Sequence, residues 1–253
     1  MVTVASSAVE RTFLQAVNKA FDGIGENPLL TLVGGGVTKR GRQAMSAVEL
    51  ARDEIYYHTM WKFRRDFFRI DLATNTMWYE LPADFQKMAT GISRNVGGTP
   101  DMTKVSYEKL CDMYPDIRAF PPGTTVSNLA TLGQLTAQDN FGEPEVYCTE
   151  LGYVGLMLIP DADFVELEGS LYASYWKHAP QLLSDHDDIG LPRNLWQAHQ
   201  HLSVGYLKKT LEYSDWATDK TMGINSLGRE SSGAKSDPDD MQIEQQNFIN
   251  YNE

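Results

Sequence analysis

Apolar residues recur at three- and four-residue steps near both ends of the chain and at two-residue steps in between. That change of period predicts an α+β protein. Phe13, Leu14, Val17, Ala20, Phe21 and Ile24 make the first stripe. Ser7-Ala8-Val9-Glu10 fits a capping box ahead of it, and Gly23, Gly25 and Pro28 end it, so a helix is expected over residues 7–25. An extended piece, Leu29-Leu30-Thr31-Leu32-Val33, and the run Gly34-Gly35-Gly36 lead to a second helix over residues 38–62. Ala44, Ala47, Val48, Ala51 and Ile55 line its inner face. A third, long helix over residues 192–225 opens at Pro192, behind the acidic stretch Ser184-Asp185-His186-Asp187-Asp188. Leu195, Ala198, Leu202, Gly205 and Tyr206 share one of its faces, whereas Trp196, Val204, Leu207 and Leu211 lie on others. A helix with more than one apolar stripe needs more than one neighbour, from this chain or from another subunit. The other long helical patterns lie before residue 64, so the two ends of the chain are expected to join in one helical bundle.

From Phe63 the period shortens. Phe63, Phe67, Ile70 and Leu72 read as a strand, Asn75-Thr76 as a turn, and Met77-Trp78-Tyr79-Glu80-Leu81-Pro82 as a returning strand. One helical turn is expected over residues 83–88, a short helix over 106–114, and a long irregular stretch over 120–141. A hairpin turns at Gly152, and a last strand is expected over residues 165–176, with Leu167, Leu171, Ala173 and Tyr175 alternating. The expected organisation is a discontinuous helical bundle of residues 1–63 and 190–232, an inserted β-rich module of residues 64–180, and a flexible C-terminal extension of residues 233–253. That extension ends in an apolar series, Met241, Ile243, Phe248, Ile249 and Tyr251. A purely solvating tail has no use for such residues, whereas an anchor to a partner has.

Composition narrows the function. The 253 residues carry a net charge of -12, which argues against a broad nucleic-acid clamp but allows a wall past which DNA slides without sticking. Two isolated cysteines, Cys111 and Cys148, make no disulfide framework. No apolar run reaches the length of a membrane span, and the first residues lack a basic-then-apolar signal pattern, so synthesis in a reducing cytoplasm is expected.

Candidate chemistry is sparse. Gly34-Gly35-Gly36-Val37-Thr38-Lys39 lacks the spacing of a phosphate-binding loop and reads as a connector. Asp185, His186, Asp187 and Asp188 are metal-ligand types, but four adjacent residues do not converge on one ion without a special loop; an acidic helix entrance is the expectation. Asp161 and Asp163 lack the glycine and glutamate of a calcium loop. His199 and His201 lie two apart on a helix and point away from each other. Trp61, Phe63, Phe67, Phe68, Trp78 and Tyr79 are read as core rather than as a stacking platform for sugars or bases. No catalytic residue, no metal and no cofactor is expected.

Three motifs carry a family resemblance. Val17-Asn18-Lys19-Ala20-Phe21-Asp22-Gly23-Ile24-Gly25-Glu26-Asn27-Pro28, followed by Thr31-Leu32, resembles the opening of tail tubular protein A of short-tailed bacteriophages. Met60-Trp61-Lys62-Phe63 and Trp78-Tyr79-Glu80-Leu81-Pro82-Ala83-Asp84-Phe85 resemble the wider set of phage head-to-tail adaptors, in which a tryptophan closes a helix and a Tyr-x-Leu-Pro-x-Asp-Phe step ends a strand. An Asp-rich loop and a proline opening the last helix, residues 182–196, resemble both groups. The resemblance implies a virion protein without enzyme activity. It implies a dodecameric ring under the portal vertex, in contact with the portal protein and the tail nozzle protein and passing DNA through its lumen. In such adaptors the C-terminal segment climbs onto the portal, which makes Met241, Ile243, Phe248, Ile249 and Tyr251 the expected portal-binding residues. Two other readings are a polysaccharide-binding or depolymerising tail component that uses the β module, and a soluble interaction module of cellular origin.

Overall fold

A computed structural model of the chain describes residues 11–34, 37–74, 76–94, 102–114, 122–123 and 141–233. It is a mixed α+β structure that divides into two compact units. Among the described residues, the first runs up to Arg64 and resumes at Ala179; the second is Arg65–His178.

The first unit is helical. Helix α1 (Phe13–Asp22) starts at a Thr12 cap, whose side chain accepts from the Gln15 amide while Gln15 answers onto Thr12. The capping box expected at Ser7–Glu10 lies outside the described residues; Thr12 is extended, and α1 begins at Phe13. Helix α2 (Lys39–His58) is capped by Thr38 and buries Ala44, Ala47, Val48, Ala51 and Ile55, the face that the pattern predicts. Trp61 closes this segment, its indole N–H donating to the Ile55 carbonyl at 2.6 Å.

The single long C-terminal helix is not what forms. A 3-10 turn at Arg193–Leu195 opens α5 (Trp196–Thr210), the chain reverses over Leu211–Asp215 with Glu212 at φ 62°, and a further helix, Trp216–Gly233, returns against α5. This returning helix is α6. The reversal supplies α5 with its second neighbour from within the chain. A β-carbon at Gly205 would sit 2.8 Å from the Lys220 backbone nitrogen, and one at Gly223 would sit 2.6 Å from Leu202. The two glycines therefore let the helix backbones approach. On its other sides α5 meets α2 and α1, and the four helices share one core that includes Phe13, Val17, Val48, Ile55, Leu195, Leu202, Leu207 and Leu227.

In the second unit, β1 (Arg65–Asp71) and β3 (Phe85–Met88) flank β9 (Ser170–Lys177), both antiparallel to it. A second sheet has the order β2 (Trp78–Glu80), β7 (Tyr153–Met157), β6 (Val146–Glu150), β4 (Thr103–Lys104). The β6–β7 hairpin turns at Leu151-Gly152 as expected. β1 and β2, expected to pair with each other, belong to different sheets, because β1 finds β9 and β2 finds β7. A small parallel pair joins β5 (Phe141–Gly142) to β8 (Ile159–Pro160). α3 (Tyr107–Met113), capped by Ser106, contributes Leu110 and Cys111 to a cluster with Trp78, Cys148 and Met157. Tyr147, Val154 and Leu156, which alternate with those positions on the hairpin, pack with Ile70, Leu171, Ala173 and Phe164.

Two local expectations fail here. Residues 83–88 form a turn and then strand β3, not a helical turn. The first third of the expected last strand belongs to a helix, α4 (Ala162–Glu168). Asp161 caps it by accepting from the Phe164 amide, Gly169 at φ 65° ends it, and Leu167 is exposed. The cap decides over the alternation. Leu171, Ala173 and Tyr175, which fall within β9, are buried as predicted.

Candidate functional site

The acidic stretch ahead of α5 forms a structural knot. The Asp185 carboxylate accepts from Thr31 Oγ1 at 2.7 Å and from the Leu32 amide at 2.6 Å. The Asp187 carboxylate accepts from the Leu183 and Ser184 amides and from Ser184 Oγ, at 2.5, 2.7 and 2.6 Å. These donors hold both carboxyls below the ordinary carboxylate range, Thr31 contributing most at Asp185 and Ser184 most at Asp187. Their backbone carbonyls turn the other way, accepting from the free amides of Phe13 and Leu14 at the start of α1. Asp188 bridges Thr12 in an antiparallel pair, and His186 is exposed. The loop thus fastens the Leu29–Val33 stretch and the beginning of α1 to the entry of α5. Among the described residues no group of three or more His, Cys, Asp or Glu is placed to hold a metal ion.

The other sequence candidates resolve likewise. Thr38 spends its side chain on the Gly41 amide, so the connector after Gly34 runs into an already capped helix; Gly35 and Gly36 lie outside the described residues. Asp161 is the α4 cap. Trp61 stacks on Phe63, Phe68 meets Phe85 and Tyr175 edge-on, and Trp78 packs on Tyr107. Tyr79 is half-buried in its cluster, and Arg65 lies over Phe67. His201 is half-exposed, whereas His199 is fully buried, with Nε2–H donating to the Val48 carbonyl at 3.1 Å. No hydrogen-bond partner among the described residues meets its Nδ1. Burial, with Arg11 as the next contribution, lowers the imidazole pKa to about 3, so the ring is neutral. The five expected portal-binding residues, Met241, Ile243, Phe248, Ile249 and Tyr251, lie outside the described residues.

One feature of the helical unit escaped the sequence. A groove of about 800 Å³ runs between α1 and the start of α5, lined by Arg11, Gln15, Lys19, Arg193, Trp196 and Gln197, with Glu26 and Pro28 at its far end. Arg11 is buried and donates to the Trp196 carbonyl at 3.1 Å, joining the two helix entrances across 185 residues of sequence. Burial lowers its pKa. Trp196 in turn donates its indole N–H to the Leu191 carbonyl at 2.9 Å. Lys19 faces Asp22 at 3.7 Å, and Glu26 pairs with Arg40, so among the described residues Arg11 and Arg193 are the cations of the groove without a carboxylate opposite them. The only sequence signal for this site was Trp196 lying off the main stripe of its helix, because the groove is made by two segments far apart in the chain.

Compared with known protein families and with curated proteins, the chain matches no family model and no curated protein. Among the described residues no helix is long and apolar enough to cross a membrane.

Proposed function

We propose that this chain is a structural virion protein, the subunit of a head-to-tail adaptor ring that joins a phage portal to the tail nozzle and forms part of the DNA ejection channel. The observation that carries the reading is the apolar surface of the helical unit. Leu30 is 95% exposed and Leu183 79% exposed, on two segments that Asp185 ties together. Met222 and Ile224 are exposed along α6. Large exposed apolar side chains on an otherwise well-packed unit fit a subunit that completes its surface against neighbours.

In this reading α1, α2, α5 and α6 form one bundle that builds the ring, the contact faces being those of Leu30, Leu183 and α6, and the β-rich unit offers the outer docking surface.

 

The net charge of -12 suits a lumen that passes DNA without holding it, and the subunit has no turnover. Met241, Ile243, Phe248, Ile249 and Tyr251 anchor the ring on the portal, each contact weak and the ring as a whole tight through simultaneous engagement. Electron microscopy of the purified chain, alone and mixed with portal-bearing heads, tests the reading. Rings seated on portals are expected, and a chain truncated after Gly233 should keep its helices yet fail to seat. A chain that stays monomeric in both settings overturns the proposal.

A further inference from the structure

The two faces of the β1–β9–β3 sheet are unlike. Ile70, Leu171 and Ala173 turn inward to one apolar cluster, Met88 packs against it, and Phe85 stacks on Tyr175 on the same side. Tyr172 and Trp176 alternate with these residues along β9 and, among the described residues, belong to none of the apolar clusters. Both rings are half-buried. The register puts cations beside them. Lys87 of β3 and Arg65 of β1 lie opposite Trp176 on its two sides, and Arg69 of β1 lies opposite Tyr172. Lys87 and Arg69 are exposed. Asp71 is the carboxylate of this face; it pairs with Arg69, and both are so exposed that the pair holds little energy.

Helix α4 is the chemical complement of that face. With its cap it carries Asp161, Asp163, Glu166 and Glu168 and no cation. Leu167 is 77% exposed, with the exposed Asp163 one turn behind it and the exposed Glu166 next to it. The 7 residues of α4 span about 10 Å, close to the roughly 13 Å from Tyr172 to Trp176 along β9. Phe164 fixes α4 on the inner side of the sheet, because it packs with Ile70, Leu171 and Ala173. An α4 held there does not reach the Trp176 face of its own subunit, whereas that of a second copy can. Three cations beside Asp71 are a narrow footprint for a nucleic-acid strand, but they match one short acidic helix.

We propose that the Trp176 face binds α4 of a second copy of this chain, with Leu167 on the Trp176 ring and Asp163 and Glu166 toward Lys87 and the arginines of β1. The two surfaces lie on opposite sides of one sheet, so the contact runs head to tail: each copy gives its α4 to one neighbour and receives α4 from another. Contacts of that kind build closed rings or open filaments. The paired charges set the register of the copies more than they add affinity. The proposal rests on the adaptor reading only for closure into a ring, where it adds a contact between β-rich units to the one between helical units.

The test is charge exchange in the full chain. Arg69→Glu with Lys87→Glu reverses one surface and Asp163→Lys with Glu166→Lys reverses the other; all four side chains are exposed. Sedimentation should show self-association weakened about a hundredfold by either pair, and restored in the fourfold variant or when the two double variants are mixed in equal amounts. Leu167→Ala, which leaves every charge in place, should weaken it about tenfold. Amide exchange in β9 and α4 reads the folding of each variant. Association that ignores both reversals, a folded fourfold variant no better than the double ones, or a Leu167→Ala chain that associates like the native one overturns the proposal. So does a chain that stays monomeric on its own, or an oligothymidylate strand that the native chain binds and the Arg69→Glu, Lys87→Glu variant does not. The adaptor reading fails separately, when a chain that associates through this contact seats on no portal.

Discussion

The two units of this protein solve packing in different ways. In the helical unit the inner faces of α1, α2 and α5 carry alanines, Ala16, Ala20, Ala44, Ala47, Ala51 and Ala198, and Gly205 and Gly223 bring α5 and α6 together. In the β-rich unit the same task falls to rings, Phe68 on Tyr175 and Trp78 on Tyr107, set over two separate apolar clusters. The units also differ in what closes them. Among the described residues the β-rich unit, Arg65–His178, is one continuous stretch of chain, whereas the helical unit is closed by bonds that span about three-fifths of the sequence, such as Thr31 to Asp185 and His199 to Val48. Closing such distant segments costs loop entropy before any contact repays it, and the unit recovers it through one shared core. The difference teaches that, among the described residues, each unit carries its own apolar packing, and the helical one assembles it from two stretches of chain.

The largest expected effect tests that separation. Leu202 and Leu156 are both fully buried, one in each unit. Leu202→Ala should lower the stability of α1, α2, α5 and α6 by about 3 kcal/mol and leave β7 and β9 protected, and Leu156→Ala should do the reverse. Amide exchange resolved by segment reads both; equal loss across the two units from either variant would break the comparison.

A second prediction concerns the one fully buried histidine. The folded pKa of His199, about 3, lies below its ordinary value of 6.5. Between those values the unfolded chain binds a proton that the folded chain does not, so stability rises with pH across that window and is flat above it. Acidification from pH 6.5 should therefore destabilise the helical unit by up to a few kcal/mol through this group. His199→Leu should flatten the acid limb in denaturant titrations by the contribution of one proton. An unchanged slope would show that His199 does not stay neutral in the fold.

Smaller effects refine the packing. Gly205→Ala gains helix propensity but places a β-carbon 2.8 Å from the Lys220 backbone nitrogen, so a net loss of about 1–2 kcal/mol is expected. Gly228→Ala, with open space around it on the same hairpin, should gain up to about 1 kcal/mol. Thermal melts of the pair distinguish close approach from mere helix propensity. The smallest effect belongs to the acidic knot. Asp185→Asn should speed amide exchange at Leu32, and chelators should leave the melting temperature of the native chain unchanged. Because the folded pKa of Asp185 is lowered, its contribution is present above the ordinary value of 3.8 and is lost as pH falls through the folded value.

The sequence by itself determined the elements whose signals are local. The α2 stripe, the Thr38 and Ser106 caps, the hairpin at Gly152 and the inward set Leu171, Ala173 and Tyr175 all follow from side chains within a few residues of one another. Where two local signals competed, the weaker was read: alternation through Leu167 hid the Asp161 cap and the Gly169 stop, and continuing helical residues hid the reversal at Glu212. Only the tertiary structure decided which strands pair, since β1 meets β9 across about a hundred residues, and where the α1–α5 groove lies, since Arg11 and Arg193 come together through the fold alone. It also turned the acidic stretch from a metal candidate into a fastening, because the donors that satisfy Asp185 come from Thr31 and Leu32, more than a hundred positions earlier. Periodicity and caps are short-range properties that a chain displays at every point along its length. Partner choice is a property of the closed core, in which the free energy of burial is shared among segments that the sequence keeps apart.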